Sequence, residues 1–228
     1  MSKTPSEKIF IVLLFVVTVL GLWASFTLLK RTFYDPIHLK SIAPDIVMDM
    51  TKSNLLSEGD IVFQSKKVRT NDLMSYLNDS SIDQVGIILY YRKGYYVLES
   101  DGEVVLTPLE EWIPKGENGN FTVKRLRNVK IKGDRLLNEA LKFTGKNKDI
   151  YFNWSDDLLY NAELVYKVIE DATGVKLGAL KQLDEFSFDK KGKELLRQTY
   201  GDNIPFKDNF ITVKQLYDSD ELETIYNY

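Results

Sequence analysis

Residues 84–99, QVGIILYYRKGYYVLE, contain two β-prone runs separated by a short polar turn. The runs at 84–91 and 95–99 are rich in β-branched and aromatic residues, and residues 92–94 between them end on a glycine. This arrangement is typical of an antiparallel hairpin, because glycine accommodates the tight reversal of the chain. The hairpin therefore predicts a fold built on an antiparallel β-sheet.

Other segments extend this pattern on both sides of the hairpin. Further strands are predicted at residues 60–64, 104–106, 121–126 and 222–226. Helices are predicted at residues 46–50, 70–77, 109–112, 134–144, 157–173 and 213–217. The helix at 157–173 has apolar residues every three or four positions and stops at Gly174, so we expect it to bury one face. Strands precede most helices, which predicts an α+β fold with a loop-rich tail after Gly178.

The composition excludes several classes of protein. Of the 228 residues, 44% are hydrophobic, and 30 Lys and Arg against 33 Asp and Glu give a net charge of −3. This balance lacks the basic surface that nucleic-acid binding requires. The chain has no cysteine, which excludes disulfides, thiolate metal sites and a cysteine nucleophile. The sequence has no zinc, dinucleotide or phosphate-loop motif, so we expect neither a metal nor a cofactor.

An uncharged apolar run at residues 9–29 precedes the rest of the chain. At about 1.5 Å per residue, such a helix is about 30 Å long, which matches the hydrocarbon core of a bilayer. The run is too long for the apolar part of a signal peptide, and no clean small-residue cleavage site precedes Lys30. The sequence therefore predicts an uncleaved single-pass anchor.

The anchor divides the chain into four segments. These are a tail at residues 1–8, a transmembrane helix at 9–29, a stalk at 30–54 and a soluble domain at 55–228. Basic residues flank the run on both sides, so the charges do not determine its orientation. A short tail before one anchor favours an extracytoplasmic domain. The single histidine, His38, is predicted to be a solvated residue of the stalk.

Polar residues elsewhere in the chain offer few catalytic groups. Asp156 and Asp157 precede a predicted helix, so we expect them to cap its N-terminal end. Ser65 and Ser155 have no histidine partner to activate them, which argues against a serine nucleophile.

Several ordered motifs resemble one family of hydrolases. They are GDIVFQS at residues 59–65, DQVGII at 83–88, VLE at 97–99, PLEEW at 108–112, FNWSD at 152–156, YNAELV at 160–165, KQLDEF at 181–186 and YGDNIP at 200–205. Their order and spacing resemble the YiiX/YebB-like branch of the permuted papain-like (NlpC-type) cysteine hydrolases. The resemblance covers residues 55–228 and implies an α+β, permuted papain-like (NlpC-type) domain with an antiparallel sheet packed on helices.

The same resemblance implies where the catalytic positions of the family lie. The general base, a histidine, matches Gln84, and the nucleophilic cysteine at the start of a helix matches Asn161. A polar residue that orients the histidine matches Glu99, which we expect to accept a hydrogen bond from Gln84. An amide side chain neither ionises to a nucleophile nor accepts a proton near neutral pH. The substituted site is therefore expected to be polar but catalytically inactive.

These substitutions favour a membrane-anchored pseudoenzyme that binds a ligand or acts as a scaffold in the bacterial cell envelope. If a pocket persists, we expect Gln64, Ser65, Trp154 and Tyr160 to line it and to favour a lipid or peptide ligand. One alternative is a hydrolase or acyltransferase that acts on peptide or lipid bonds through a non-cysteine nucleophile. Another is a structural subunit of a membrane protein complex. The expected partners are therefore the membrane, other membrane-protein subunits and a lipid or peptide ligand, without nucleic acid.

Overall fold

The computed structural model describes residues 5–30, 35–66 and 72–228. The helices are α1 (Pro5–Leu29), α2 (Asp35–Lys52), α3 (Leu73–Asn78), α4 (Leu109–Trp112), α5 (Gly133–Phe143), α6 (Asn161–Thr173), α7 (Lys190–Tyr200) and α8 (Val213–Tyr217). The strands are β1 (Ile61–Lys66), β2 (Gln84–Tyr91), β3 (Gly94–Asp101), β4 (Glu103–Pro108), β5 (Gly116–Leu126), β6 (Lys181–Gln182), β7 (Asn209–Phe210) and β8 (Leu222–Asn227).

An antiparallel sheet with apolar side chains on both faces forms the centre of the α+β fold. Its strand order is β4-β3-β2-β1-β5-β8, and the β2–β3 hairpin pairs Ile87 with Leu98. Successive side chains of a strand point to opposite faces. Ile87 and Leu98 accordingly pack in one apolar core, while Ile88 and Val97 pack in the other. Helices therefore cover the sheet on both sides.

The larger core lies on the face covered by α5 and α6. Helix α6 packs on β2 and β3, and its residues Leu164, Val165 and Val168 are fully buried. Burial of each such side chain contributes about 1.5–3 kcal/mol to stability. Gly174 ends the helix with a φ of +79°, a left-handed conformation that glycine adopts without strain. This packing fixes the N-terminal end of α6 against the sheet.

Helix α2 covers the opposite face together with α4. Its Ala43 and Met50 are buried in the core that includes Val62 and Trp112. The segment predicted as a stalk therefore contains a helix that packs on the sheet, while its residues 31–34 lie outside the described residues. The single histidine lies on the exposed side of this helix.

A buried ion pair joins the start of β1 to β5. Arg125 Nε donates to Asp60 Oδ1 at 2.6 Å, and Arg125 Nη2 donates to Asp60 Oδ2 at 2.9 Å. The same Nη2 donates to the Leu55 carbonyl at 2.7 Å. Asp60 is fully buried, so these bonds offset the loss of its hydration. The pair fixes the loop that enters the first strand.

Helix α1 contains the apolar run predicted to span a membrane. Its described side chains from Leu13 to Leu29 are exposed, among them Phe15 and Leu20. Over the side chains that the structure describes, no helix has both the length and the hydropathy needed to cross a membrane. Residues 1–4 of the predicted tail lie outside the described residues. The membrane anchor therefore stays a prediction.

Most of the predicted strands and helices are confirmed. The hairpin, the edge strand β8 and the stop of α6 are present as predicted. The helix predicted at 70–77 corresponds to α3, where Asp72 caps the N-terminal end by accepting from the Ser75 amide at 2.8 Å. Residues 70 and 71 of that prediction lie outside the described residues.

Two predictions of local structure are wrong. The helix predicted at 157–173 begins only at Asn161, because Leu159 forms a β-bridge with Lys148 and is extended. The tail after Gly178, predicted to be loop-rich, also contains helix α7. The first error arises from a tertiary contact, the bridge to Lys148. Helix α7 instead has a local start signal, since Asp189 caps it by accepting from the Gly192 amide at 2.8 Å.

Candidate functional site

The N-terminal end of α6 is the centre of the candidate site. Tyr160 precedes the helix in an extended conformation and stacks on Phe210, with ring centroids 5.7 Å apart. Its hydroxyl accepts a hydrogen bond from the Ile211 amide at 3.1 Å. Asn161 then begins the helix with a partly exposed side chain. The buried tyrosine thus fixes the place where the first turn of α6 presents its side chains.

Gln84 and Asn161, from distant parts of the chain, share one backbone acceptor. Gln84 Nε2 donates to the Asp83 carbonyl at 2.9 Å, and Asn161 Nδ2 donates to the same oxygen at 3.2 Å. Asn161 Oδ1 accepts from the Ala162 amide at 2.8 Å, which satisfies one of the free N–H groups at the helix start. The structure therefore brings together two of the three residues predicted for the substituted site.

Glu99, the third of these residues, has other partners. Alternation along β2 and β3 places Gln84 and Glu99 on the same face of the sheet. The Oε1 atom of Glu99, however, accepts from Lys115 Nζ at 2.5 Å and from Thr107 Oγ1 at 2.5 Å. The predicted hydrogen bond between Gln84 and Glu99 is therefore wrong. The physical reason is that an ammonium group provides a stronger, charge-assisted bond to a buried carboxylate than an amide does.

A small cavity lies beside Tyr160 and Asn161. Its volume is about 60 Å³, which corresponds to about two molecules of liquid water. The other lining residues are Lys66, Asp72, Met74, Ser75, Asn78, Asp83, Lys148, Phe152 and Val213. Pockets for drug-sized ligands occupy about 300–1,000 Å³. In this conformation the cavity therefore accommodates only a small molecule.

Lys148 is a cavity residue that sequence reasoning missed. Its backbone amide donates to the Gly102 carbonyl at 2.9 Å, which fixes its position. Burial lowers the pKa of Lys148, and the charge of Lys66 lowers it further, whereas Asp101 and Asp72 oppose the change. In the sequence the residue lies in the polar segment KNKD, in which no pattern distinguishes it from other surface lysines.

The other predicted binding residues lie outside the described lining of this cavity. Gln64 is buried, and its Nε2 donates to the Trp112 carbonyl at 3.5 Å. Its Oε1 has no hydrogen-bond partner among the described residues. Trp154 packs edge-on against a tyrosine of α6, with ring centroids 5.7 Å apart, and Ser65 is partly buried on β1. Of the four predicted binding residues, Tyr160 is part of the lining.

A buried ion pair on the first turns of α6 holds the preceding loop. Glu163 is fully buried, and its Oε1 accepts from Lys167 Nζ at 2.8 Å and from the Ser155 amide at 3.1 Å. Lys167 Nζ also lies 2.8 Å from Asp156 Oδ1. The N-cap residue of α6 is Tyr160, whose side chain makes no capping hydrogen bond. Asp156 and Asp157 lie farther along the preceding loop, so the capping role predicted for them is wrong. Burial raises the pKa of Glu163 to about 7, although Lys167 lowers it.

Comparisons with known proteins match the domain that carries this site. The family described as permuted papain-like amidase enzyme, YaeF/YiiX, C92 family, matches residues 55–226. The chain belongs to this family. The uncharacterized protein YiiX of Escherichia coli (strain K12) is 31% identical over 170 residues, which are 73% of this chain and 84% of that protein. The crystal structure of metalloprotein yiiX from Escherichia coli O157:H7, DUF1105, matches with a TM-score of 0.69 and 30% identity, covering 75% of this chain and 97% of that chain.

The name of that solved relative raises the question of a metal site. In the parts of this chain that the structure describes, no three His, Cys, Asp or Glu side chains are grouped to hold a metal ion. The two acidic residues of the cavity both bind backbone amides. Asp72 accepts from Ser75 N at 2.8 Å, and Asp83 Oδ1 accepts from Lys66 N at 2.8 Å. The described donor groups therefore do not fit a metal ion.

Proposed function

We propose that this family member is a membrane-anchored pseudoenzyme that binds a ligand or a partner at the cell envelope without cysteine hydrolysis. The observation that carries the proposal is the meeting of Gln84 and Asn161 at one carbonyl, in a chain without cysteine. By the motif resemblance, these are the positions of the general base and the nucleophile. Neither amide ionises near neutral pH, so neither activates water or attacks a carbonyl.

The hydroxyl groups near α6 are poorly suited to replace the missing cysteine as a nucleophile. Their environment therefore supports a loss of hydrolytic activity. Ser155 Oγ donates to the Leu158 carbonyl at 3.4 Å, and burial raises the pKa of Tyr160. A hydroxyl nucleophile requires a general base within hydrogen-bond distance. The single histidine lies on α2, on the other side of the sheet from α6.

The purified protein is expected to hydrolyse peptide anilides and aryl esters no faster than its Asn161→Ala variant. The reason is that the wild-type residue supplies neither a nucleophile nor a base. Rates are measured by release of the chromogenic leaving group, at equal protein concentration and with circular dichroism to confirm folding. Turnover that is lost in Ser65→Ala or Ser155→Ala would support the alternative hydrolase and contradict the proposal.

The anchoring part of the proposal rests on the apolar run at residues 9–29. The large side chains from Leu13 to Leu29 are exposed to solvent in the described chain. Transfer of such apolar surface from water into hydrocarbon stabilises the inserted helix by about 25 cal/mol per Å². We propose an extracytoplasmic domain, which protease added to spheroplasts is expected to digest.

The wild-type protein is expected to stay in the membrane fraction during alkaline carbonate extraction. Replacing both Val16 and Leu20 by aspartate is expected to release most of the protein into the supernatant. Each carboxylate near the centre of a span costs about 2.5–3.5 kcal/mol. Ser41→Asp, at an exposed position of α2, is the control and is expected to stay with the membrane. Extraction of the wild-type protein by carbonate would contradict the anchor.

A further inference from the structure

Lys148 lines the cavity without a bonded partner for its amine. The side chain is partly buried beside Asn161, and no hydrogen bond or ion pair engages its Nζ within the described structure. Two other lysines of the domain have bonded amines. Lys115 pairs with a glutamate, and Lys124 donates to a backbone carbonyl. The amine of Lys148 is therefore available for a ligand.

Charged and ionisable groups from several elements face this amine. They are Lys66 at the end of β1, Asp72 at the N-cap of α3, Asp83 before β2, Asp101 at the end of β3 and Tyr160 before α6. Burial and the charge of Lys66 lower the pKa of Lys148, while Asp101 and Asp72 raise it. The net effect increases the fraction of neutral amine. Desolvation and a neighbouring cation are the two conditions that make a lysine nucleophilic.

We propose that Lys148 is a nucleophilic amine that captures a small aldehyde in this cavity. The inference rests on the proposed ligand-binding function and names the class of ligand. The nitrogen lone pair of the neutral amine attacks the carbonyl carbon, and the carbon–oxygen double bond breaks. The oxygen leaves as water with the two hydrogens of the amine, and a carbon–nitrogen double bond remains. No oxidant or reductant is consumed.

The shape of the cavity limits the size of the aldehyde. Its volume of about 60 Å³ holds a molecule of about two carbons, because each water occupies about 30 Å³. Met74, Phe152 and Val213 supply an apolar wall for the carbon atoms. The hydrogen bond from the Lys148 amide to the Gly102 carbonyl fixes the backbone from which this side chain enters the cavity lining. An aromatic aldehyde is too large to enter.

Reductive trapping of the full-length protein in detergent tests this proposal. The protein is incubated at pH 7 with acetaldehyde and cyanoborohydride, which converts an imine into a stable ethyl-lysine that peptide mass spectrometry locates. At low occupancy, Lys148 is expected to carry several-fold more label than the exposed Lys190, because burial and the charge of Lys66 lower the pKa of Lys148 and increase its neutral fraction. Lys124 is the internal control, since burial also lowers its pKa but its amine is bonded to the Tyr217 carbonyl.

Two further arms separate a cavity site from general lysine reactivity. Lys66→Met removes the neighbouring positive charge and is expected to reduce labelling of Lys148 several-fold while labelling of Lys190 stays constant. Benzaldehyde is expected to label Lys148 no more than Lys190. Equal labelling of these two lysines by acetaldehyde overturns the proposal, and so does enrichment of Lys148 by benzaldehyde. Neither of these two results bears on the proposed loss of hydrolytic activity, which the turnover assay tests separately.

Discussion

Replacing Asn161 by cysteine is expected to create a thiol that reacts with iodoacetamide about tenfold faster at pH 6.5 than an exposed cysteine. The residue begins α6, where free N–H groups and the helix dipole stabilise a thiolate. An ordinary thiol of pKa ~8.5 is about 1% ionised at that pH, whereas one of pKa ~7 is about a quarter ionised. The wild-type chain has no cysteine, so the label reports one group.

Ser53→Cys is the matched control for this experiment. Ser53 is exposed and follows the C-terminal end of α2, where the helix dipole disfavours a thiolate. Adding Gln84→His to Asn161→Cys is expected to increase the rate further at low pH, because an imidazolium stabilises a nearby thiolate. Equal rates for cysteines at positions 53 and 161 would contradict the assignment of Asn161 to the nucleophile position.

The unfolding free energy is expected to fall by roughly 2–3 kcal/mol between pH 5 and pH 8 through Glu163 alone. Burial raises the pKa of this carboxyl from its ordinary 4.5 to about 7. Between these two values the folded state keeps a proton that the unfolded state has released. The contribution of Glu163 to stability is therefore complete below about pH 4.5, decreases as the pH rises, and is lost above about pH 7.

Urea denaturation of the wild type and of Glu163→Gln at pH 5, 6.5 and 8 measures this effect. The amide variant is expected to lose the part of the pH dependence due to Glu163. Other carboxyls whose pKa burial raises, such as Asp149 and Asp171, are present in both proteins and cancel in the comparison. Glu170→Gln, at a partly exposed position of the same helix, is the control. An unchanged pH profile in Glu163→Gln would show that the ion pair with Lys167 keeps the group ionised.

The candidate site shows where prediction from sequence succeeds and where it ends. The motif that places Asn161 at the start of a helix is confirmed, although the boundary was predicted too early in the chain. Glu99 was predicted to accept a hydrogen bond from Gln84, but it accepts one from Lys115 instead. No local sequence pattern indicates that Lys115 lies close to β3. Charge-assisted bonds of this kind depend on which long side chains the packing brings within reach.

The antiparallel hairpin at 84–99, the helix stop at Gly174 and the loss of the cysteine were determined by the sequence alone. Each of these features depends on residue identity, local periodicity or ordered motifs, and all three are properties of short segments of the chain. Only the tertiary structure decided that α2 is part of the folded core, that Gln84 and Asn161 share a carbonyl, and that Lys148 lines the cavity beside Asn161. These contacts join segments far apart in the chain, and they arise from the packing of helices on both faces of one sheet.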